Sequence, residues 1–388
     1  MRNLFKPNLR PLNPHFSSGP CIKRPGWTVN VLEKAHLGRS HRALEVKARL
    51  SLAIEKTRTL LGLPEDYVCG IVPASDTGAF EMAMWCMLGA RAVDILAWES
   101  FGLGWALDVK QQLKLEDCRV LKANYGELPD LTKVDFSRDV LFTSNGTTSG
   151  VRIPNYEWIP IKREGLTFAD ATSAAFAQPI DWLKVDILTF SWQKVLGGEA
   201  AHGMLILSPR AVKRLETFSP PRPLPKIFRL TEKAELVRGI FSGETINTPS
   251  LLCVEDYLDA LTWAERVGGV KVLIRQADLN ANILHKWVEH TPWISNLAVE
   301  PATRSNTSVC LKIVDPTIVG LSEMRQIAFI NTIVSMLEIE KVAYDIKAHR
   351  DAPPGFRIWT GPTVSTADLK ALVYWLDWAY NSCKLLQS

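Results

Sequence analysis

A chain of 388 residues, 47% of them hydrophobic, can bury one large core and a smaller second one, so two domains are expected. With 45 basic against 41 acidic side chains the net charge is only +4 and no long basic run occurs, which argues against nucleic acid as a partner. No stretch is apolar enough for a membrane span, the first residues lack a signal-peptide core, and the seven scattered cysteines form no Cys-x-x-Cys pair, so a soluble, cytoplasmic protein without disulfides or zinc is expected.

After an extended, proline-containing arm over residues 1–20, apolar residues at helical spacing (Leu50, Leu52, Ala53, Ile54, Thr57, Leu60) predict a helix over 44–61, stopped by Gly62. A short strand at 69–73 runs into the small polar turn Ala74-Ser75-Asp76-Thr77-Gly78, and a helix continues to residue 88. The free backbone N–H groups at such a helix start suit a phosphate. Strands follow near 92–98, 119–123, 139–143, 166–170, 185–191 and 203–207, while the glycine-containing segment from Ser100 to Trp105 reads as a flexible loop. This alternation predicts an α/β fold, a mostly parallel sheet flanked by helices, with ligands beyond the carboxyl ends of the strands. A proline-rich loop at 218–225 precedes Asn247-Thr248-Pro249-Ser250, which caps a predicted amphipathic helix over 251–267. Beyond Gly268-Gly269 come a helix (272–290), a strand (307–314), a helix (321–337), a short strand (342–344), a loop and a last helix (366–381). The expected division is an arm (1–20), a large domain (21–268) and a smaller C-terminal α/β domain (269–388).

Two residues carry most of the chemistry. Lys194 closes the apolar run 185–191 and is followed at once by Val195-Leu196-Gly197-Gly198; in such a dry place desolvation lowers an ammonium's pKa and frees the amine for carbonyl chemistry. Asp170 ends the neighbouring apolar strand. An Asp and a Lys at the ends of nearby parallel strands are what pyridoxal 5′-phosphate requires: the carboxylate keeps the ring nitrogen protonated, and the amine bonds the aldehyde. The plainer alternatives are a surface lysine ending a strand and an Asp capping a helix before Ala171-Thr172-Ser173.

The ordered set Ser40-His41-Arg42, Asn145-Gly146-Thr147, Asp170, Ser191-Trp192-Gln193-Lys194, Asn247-Thr248-Pro249 and His349-Arg350 followed by Arg357 resembles the phosphoserine aminotransferases, within the class V, fold-type I pyridoxal phosphate enzymes. The resemblance spans nearly the whole chain and sits closer to the branch with Pro73-Ala74-Ser75-Asp76-Thr77 than to the one with a Gly-Arg phosphate turn, so Thr77 stands where that arginine would be. It implies transfer of an amino group between glutamate and 3-phosphohydroxypyruvate, giving 2-oxoglutarate and O-phosphoserine in serine biosynthesis, with 4-phosphohydroxythreonine as a further candidate substrate.

By the same resemblance, Lys194 and Asp170 are catalytic. Trp105 stacks on the cofactor ring, with Trp98 as its rival, and Thr147 binds the phenolic oxygen. Asp76 (through its backbone), Thr77, Gln193, Asn247 and Thr248 hold the phosphate. Arg357 grips the α-carboxylate, and His41, Arg42, His349 and Arg350 form a second cationic cluster for the phosphorylated side chain. Asn247, Thr248, His41 and Arg42 reach across from the other subunit of a homodimer. The competing readings are a glyoxylate-dependent aminotransferase, a cysteine desulfurase, which needs a reactive loop cysteine, and a non-catalytic binding protein on the same scaffold.

Overall fold

In the computed structural model, which describes residues 5–387, seven runs of apolar residues pair into one sheet. They are β1 (Val68–Pro73), β2 (Val93–Ala97), β3 (Cys118–Lys122), β4 (Asp139–Thr143), β5 (Thr167–Asp170), β6 (Ile187–Ser191) and β7 (His202–Leu207). Their order across the sheet is β1-β7-β6-β5-β4-β2-β3. From β6 to β3 every pair is parallel, and β7 runs antiparallel to both of its neighbours. Every residue of β2, β4, β5, β6 and β7 is buried, as expected where helices cover both faces of a parallel sheet. The edge strand β3 is partly exposed and carries Arg119 and Lys122, charges that discourage pairing with another chain.

The connecting helices include α1 (Leu44–Leu61), α2 (Ser75–Met87), α3 (Ser100–Leu107), α4 (Pro209–Thr217) and α5 (Leu251–Arg266). Gly62 ends α1 in the left-handed conformation that Gly adopts without a Cβ penalty. The helix α3 corrects the expected loop. Its start is fixed by the Glu99 carboxylate, which accepts from the Gly102 N–H at 2.8 Å, and that cap outweighs two helix-weakening glycines. Ser208 likewise caps α4, whose first residue is Pro209. Ahead of α5 the cap is Ser250 alone, whose hydroxyl accepts from Cys253 N, so Asn247 and Thr248 are free of that duty.

Beyond α5 the chain forms α6 (Val270–Glu289), a three-stranded antiparallel sheet of β8 (Ile294–Asn296), β9 (Ser308–Ile313) and β10 (Gly355–Trp359), and the helices α7 (Glu323–Ile339) and α8 (Thr366–Gln387). The segment carrying Arg357, read as loop from the sequence, is thus strand β10. The predicted strand at 342–344 is instead a bend, with one isolated bridge from Tyr344 to His15. The N-terminal arm lies against this second sheet: Trp359 N donates to Phe16 O at 3.0 Å, Tyr344 N to Pro14 O at 2.8 Å, and Phe16 is fully buried.

Candidate active site

The parallel pairing brings the strand ends to one height. Thr143 at the end of β4 sits beside Asp170 at the end of β5, which sits beside Thr189 on β6. Lys194 follows on the turn after β6, and the start of α2 faces them from the end of β1. A cavity of about 230 Å³ opens there, lined by Ser75, Asp76, Thr77, Trp105, Thr147, Asp170, Gln193 and Lys194 among others. Seven of the fourteen residues singled out from the sequence therefore meet around one space: Asp76, Thr77, Trp105, Thr147, Asp170, Gln193 and Lys194.

The turn into α2 is tightly constrained. Ala74 and Ser75 both have positive φ, 65° and 53°, a costly conformation for residues with a Cβ and one that concentrates at functional sites. Glycine is needed on both sides: a Cβ at Gly78 would stand 2.3 Å from Pro73 O, and one at Gly203 only 2.1 Å from Ser75 O. Thr77 is exposed in the first turn of α2, where unpaired N–H groups and the helix dipole favour an anion. Asp76 is buried and turned inward, toward Asp170, Thr172 and Thr189.

Asp170 accepts three hydrogen bonds: from Trp105 Nε1 at 3.0 Å, from Thr172 N at 3.0 Å and from the Thr172 hydroxyl at 2.6 Å. The contact to Thr172 is an Asx-type turn, and since residues 172–177 form turns with no helix, the alternative reading of Asp170 as a helix cap does not hold. Trp105 is buried, tilted against Phe80 at 4.7 Å between ring centroids, and presents its N–H to the carboxylate. A second aromatic ring beside Trp105 lines the cavity, Phe101, which the sequence reading passed over; it is 44% exposed and lies 6.0 Å from the His349 ring.

Lys194 is half-buried, with its amine at the enclosed end, where it donates to Ser18 O at 2.7 Å. Burial lowers its pKa from the usual lysine value; the nearby Arg357 guanidinium adds to that, while Cys21, Asp170 and Asp76 oppose it. A Cβ at Gly19 would stand 2.2 Å from this amine, so the arm closes on Lys194 only because residue 19 has no side chain. Burial pushes the Cys21 thiol up to about 12 despite the nearby Lys194 and Arg357, and that of Cys310 likewise to about 12, so both are kept as thiols and not as the reactive thiolate a desulfurase needs.

The cationic residues are less gathered. Arg357 on β10 faces the Lys194 side of the site and keeps its Nε buried without a partner. His349 stands by the mouth, its Nδ1 3.3 Å from Ser100 Oγ; burial and then Arg357 lower its pKa, with Asp351 opposing. Arg350 is largely solvent-exposed beside Asp351. Arg42, Asn247 and Thr248 are exposed and His41 half-buried, and none of the four lines the cavity of its own chain.

Several buried polar atoms around the cavity have no protein partner: Asp76 Oδ1, Thr143 Oγ1, Ser191 Oγ and Gln193 Oε1. Buried polar groups are rarely left so, and a ligand with polar groups on several edges would satisfy them. Pyridoxal 5′-phosphate would fit this donor set: the Asp170 carboxylate could serve its ring nitrogen, the Lys194 amine its aldehyde and the N–H groups of the α2 turn its phosphate.

Sheet order and this constellation define the protein as a pyridoxal phosphate-dependent aminotransferase of the α/β type. Solved structures share the fold: a phosphoserine aminotransferase from Cytophaga hutchinsonii (TM-score 0.79, 21% identity, covering 94% of this chain and 98% of that one) and a pyridoxal phosphate-bound one from Trichomonas vaginalis (TM-score 0.73, 19% identity, 95% and 99%). No protein-family model matches the chain. In sequence it is 57% identical over 380 residues to the phosphoserine aminotransferase of Methanosarcina barkeri, covering 98% of this chain and all of the relative, and 56% identical to that of Methanosarcina mazei. The chain belongs to the phosphoserine aminotransferase family.

Proposed function

We propose that this chain transfers the amino group between L-glutamate and 3-phosphohydroxypyruvate, giving 2-oxoglutarate and O-phospho-L-serine in serine biosynthesis, with 4-phosphohydroxythreonine as a further candidate substrate. The observation that carries this reading is the Lys194 amine sharing one cavity with Asp170 and the α2 turn. Pyridoxal 5′-phosphate, when bound, supplies an electron-withdrawing ring that acidifies the substrate's α-hydrogen. Asp170, fixed by Trp105 and Thr172, holds the ring nitrogen's proton. Thr77 and the N–H groups of the α2 turn, with Gln193 beside them, bind the phosphate, and Thr147 binds the phenolic oxygen. Phe101 covers the ring's open face, whereas Trp105 acts through its N–H.

Lys194 Nζ, basic because its ammonium form is poorly solvated, takes the proton from the amino acid's α-carbon and returns one to the keto acid in the opposite half-reaction. Arg357 pairs with the α-carboxylate as a planar two-donor fork. His349 and Arg350 receive the phosphorylated side chain together with His41 and Arg42 from a second copy of the chain, and Asn247 and Thr248 of that copy complete the phosphate cup. The exposure of Arg42, Asn247 and Thr248 in a single chain, with His41 half-buried outside the cavity, supports a homodimer with shared sites, which we place in the cytoplasm. One cationic pocket then serves glutamate's distal carboxylate and the phosphate in turn.

The test is a substrate panel. O-phosphoserine with 2-oxoglutarate should be turned over with a kcat/KM far above that of serine or alanine, and Lys194→Ala should abolish it. Faster turnover of an unphosphorylated amino acid with glyoxylate would replace this reading with that of a glyoxylate-dependent aminotransferase.

A further inference from the structure

An acid in the first turn of a helix that is to receive a phosphate dianion is out of place if it is ionised. Asp76 is nonetheless buried there, at 5% exposure, with one carboxyl oxygen lacking any partner. Its side chain turns to the inner end of the cavity, where it meets Asp170 and the hydroxyls of Thr172 and Thr189. Two buried carboxylates facing each other cannot both be charged at modest cost, so the pair holds a proton. Which of the two carries it follows from their partners. Asp170 accepts three hydrogen bonds and keeps one acceptor site open, whereas Asp76 Oδ1 has no partner among the described residues and is free to carry the proton.

We propose that Asp76 is a positioning residue that stays protonated at neutral pH and donates a hydrogen bond to Asp170, so that the two acids present a single negative charge to the cofactor. The assignment rests on the pyridoxal phosphate reading given above. It accounts for the chemistry on both sides of the cavity. The pair's one negative charge matches the one positive charge of a protonated ring nitrogen, and the helix start stays free of an anion that would repel the phosphate. Burial, followed by the Asp170 charge, raises the Asp76 pKa well above the usual carboxylate value. The charged groups facing it are Asp170 from β5 and Lys194 from the turn after β6; the amine pulls the other way, and Thr172 and Thr189 are neutral.

Two measurements decide the matter. The first is infrared difference spectroscopy of the cofactor-stripped protein. Glu99 is also partly protonated near neutral pH, so the wild-type and Asp76→Asn spectra are subtracted: a protonated-carboxyl carbonyl band present in the wild type and lost in the variant should remain in the difference, and a difference without it overturns the proposal. The second is the affinity for pyridoxamine 5′-phosphate, which forms no bond to Lys194, followed across pH. The Asn variant mimics the neutral acid and should bind within about threefold of wild type at neutral pH, whereas Asp76→Ala should bind roughly 10–100-fold more weakly. Above the pH at which Asp76 ionises, the wild-type dissociation constant should rise by about tenfold per pH unit relative to the Asn variant, because only the protonated form binds. An Asn variant as weak as the Ala variant, or one with the same alkaline loss as wild type, overturns the proposal. Should the carbonyl band be present while the wild type fails to bind the pyridoxamine phosphate, the acid pair stands and the cofactor reading falls.

Discussion

Trp105→Phe separates two ways in which an aromatic residue can serve this site. The substitution keeps a ring against Phe80 but deletes the N–H that reaches Asp170 Oδ2 at 3.0 Å. A hydrogen bond to a buried charged group contributes about 1.5–3 kcal/mol, equivalent to roughly 10–150-fold in an equilibrium constant. Asp170 keeps both Thr172 donors on its other oxygen, so its orientation is only partly released and the lower end, about tenfold weaker cofactor binding, is expected. The smaller ring also leaves a gap beside Phe80, costing about 1 kcal/mol of stability. Phe101→Ala should behave differently. That side chain is already 44% exposed, so stability should barely change, while cofactor affinity should fall if Phe101 covers the ring as proposed. Titration of the stripped proteins with pyridoxal phosphate, beside thermal unfolding of each, measures both quantities. If Trp105→Phe binds as tightly as wild type, its N–H does not hold Asp170 and the face of the indole is what counts.

Gly19→Ala should push the Lys194 amine aside, since the new Cβ would stand 2.2 Å from Nζ, and a displacement of that order should cost about 100-fold in kcat with little change in Tm; unchanged kcat would mean that the arm's contact with Lys194 is incidental. Mixing Lys194→Ala with Arg42→Ala chains should restore up to about a quarter of wild-type activity, because half of randomly exchanged dimers are mixed and each has one intact site. A dead mixture with exchange verified by mass would place Arg42 in its own chain's site. Glu99, buried under the start of α3, is raised from 4.5 to about 7, first by burial, with bonds from Gly102 and Thr148 opposing. The folded state therefore keeps a proton that the unfolded chain has released, and stability should fall as pH rises from about 4.5 to 7, by up to about 3 kcal/mol. Glu99→Gln should flatten that slope in denaturant titrations at several pH values, and an identical slope would assign it to other groups.

The central sheet was legible because its strands are buried on both faces and read as unbroken apolar runs; the strands ending at Thr143 and Ser191 lie where those runs end. Lys194 and Asp170 were legible for the same reason, as polar residues closing such runs. The helix bearing Phe101 was not. Gly102 and Gly104 within eight residues read as a loop, and only the Glu99 cap makes a helix of them. Strand β10 escaped because it exists through pairing with β9, a long-range partner invisible to local pattern. Asp76 could be placed in a helix's first turn from sequence, but that it faces Asp170 depends on β1 and β5 being brought to the same end of one sheet. The cationic residues gave the reverse case: their types were readable, yet His41 and Arg42 lie outside their own chain's cavity, and sequence spacing cannot say which copy they serve.

The acceptor that holds the Lys194 amine, Ser18 O, belongs to an arm anchored by a strand made near the other end of the chain, through Trp359 N to Phe16 O. The arm and the strand it docks on lie more than 300 residues apart, so this contact of very high sequence separation can form only after the strand has been made. The sheet carrying Lys194 and Asp170 can assemble earlier, but the wall beside the amine is finished last. Loss of the strand holding Trp359 would therefore loosen the carbonyl beside Lys194 while leaving the sheet that carries Lys194 and Asp170 intact.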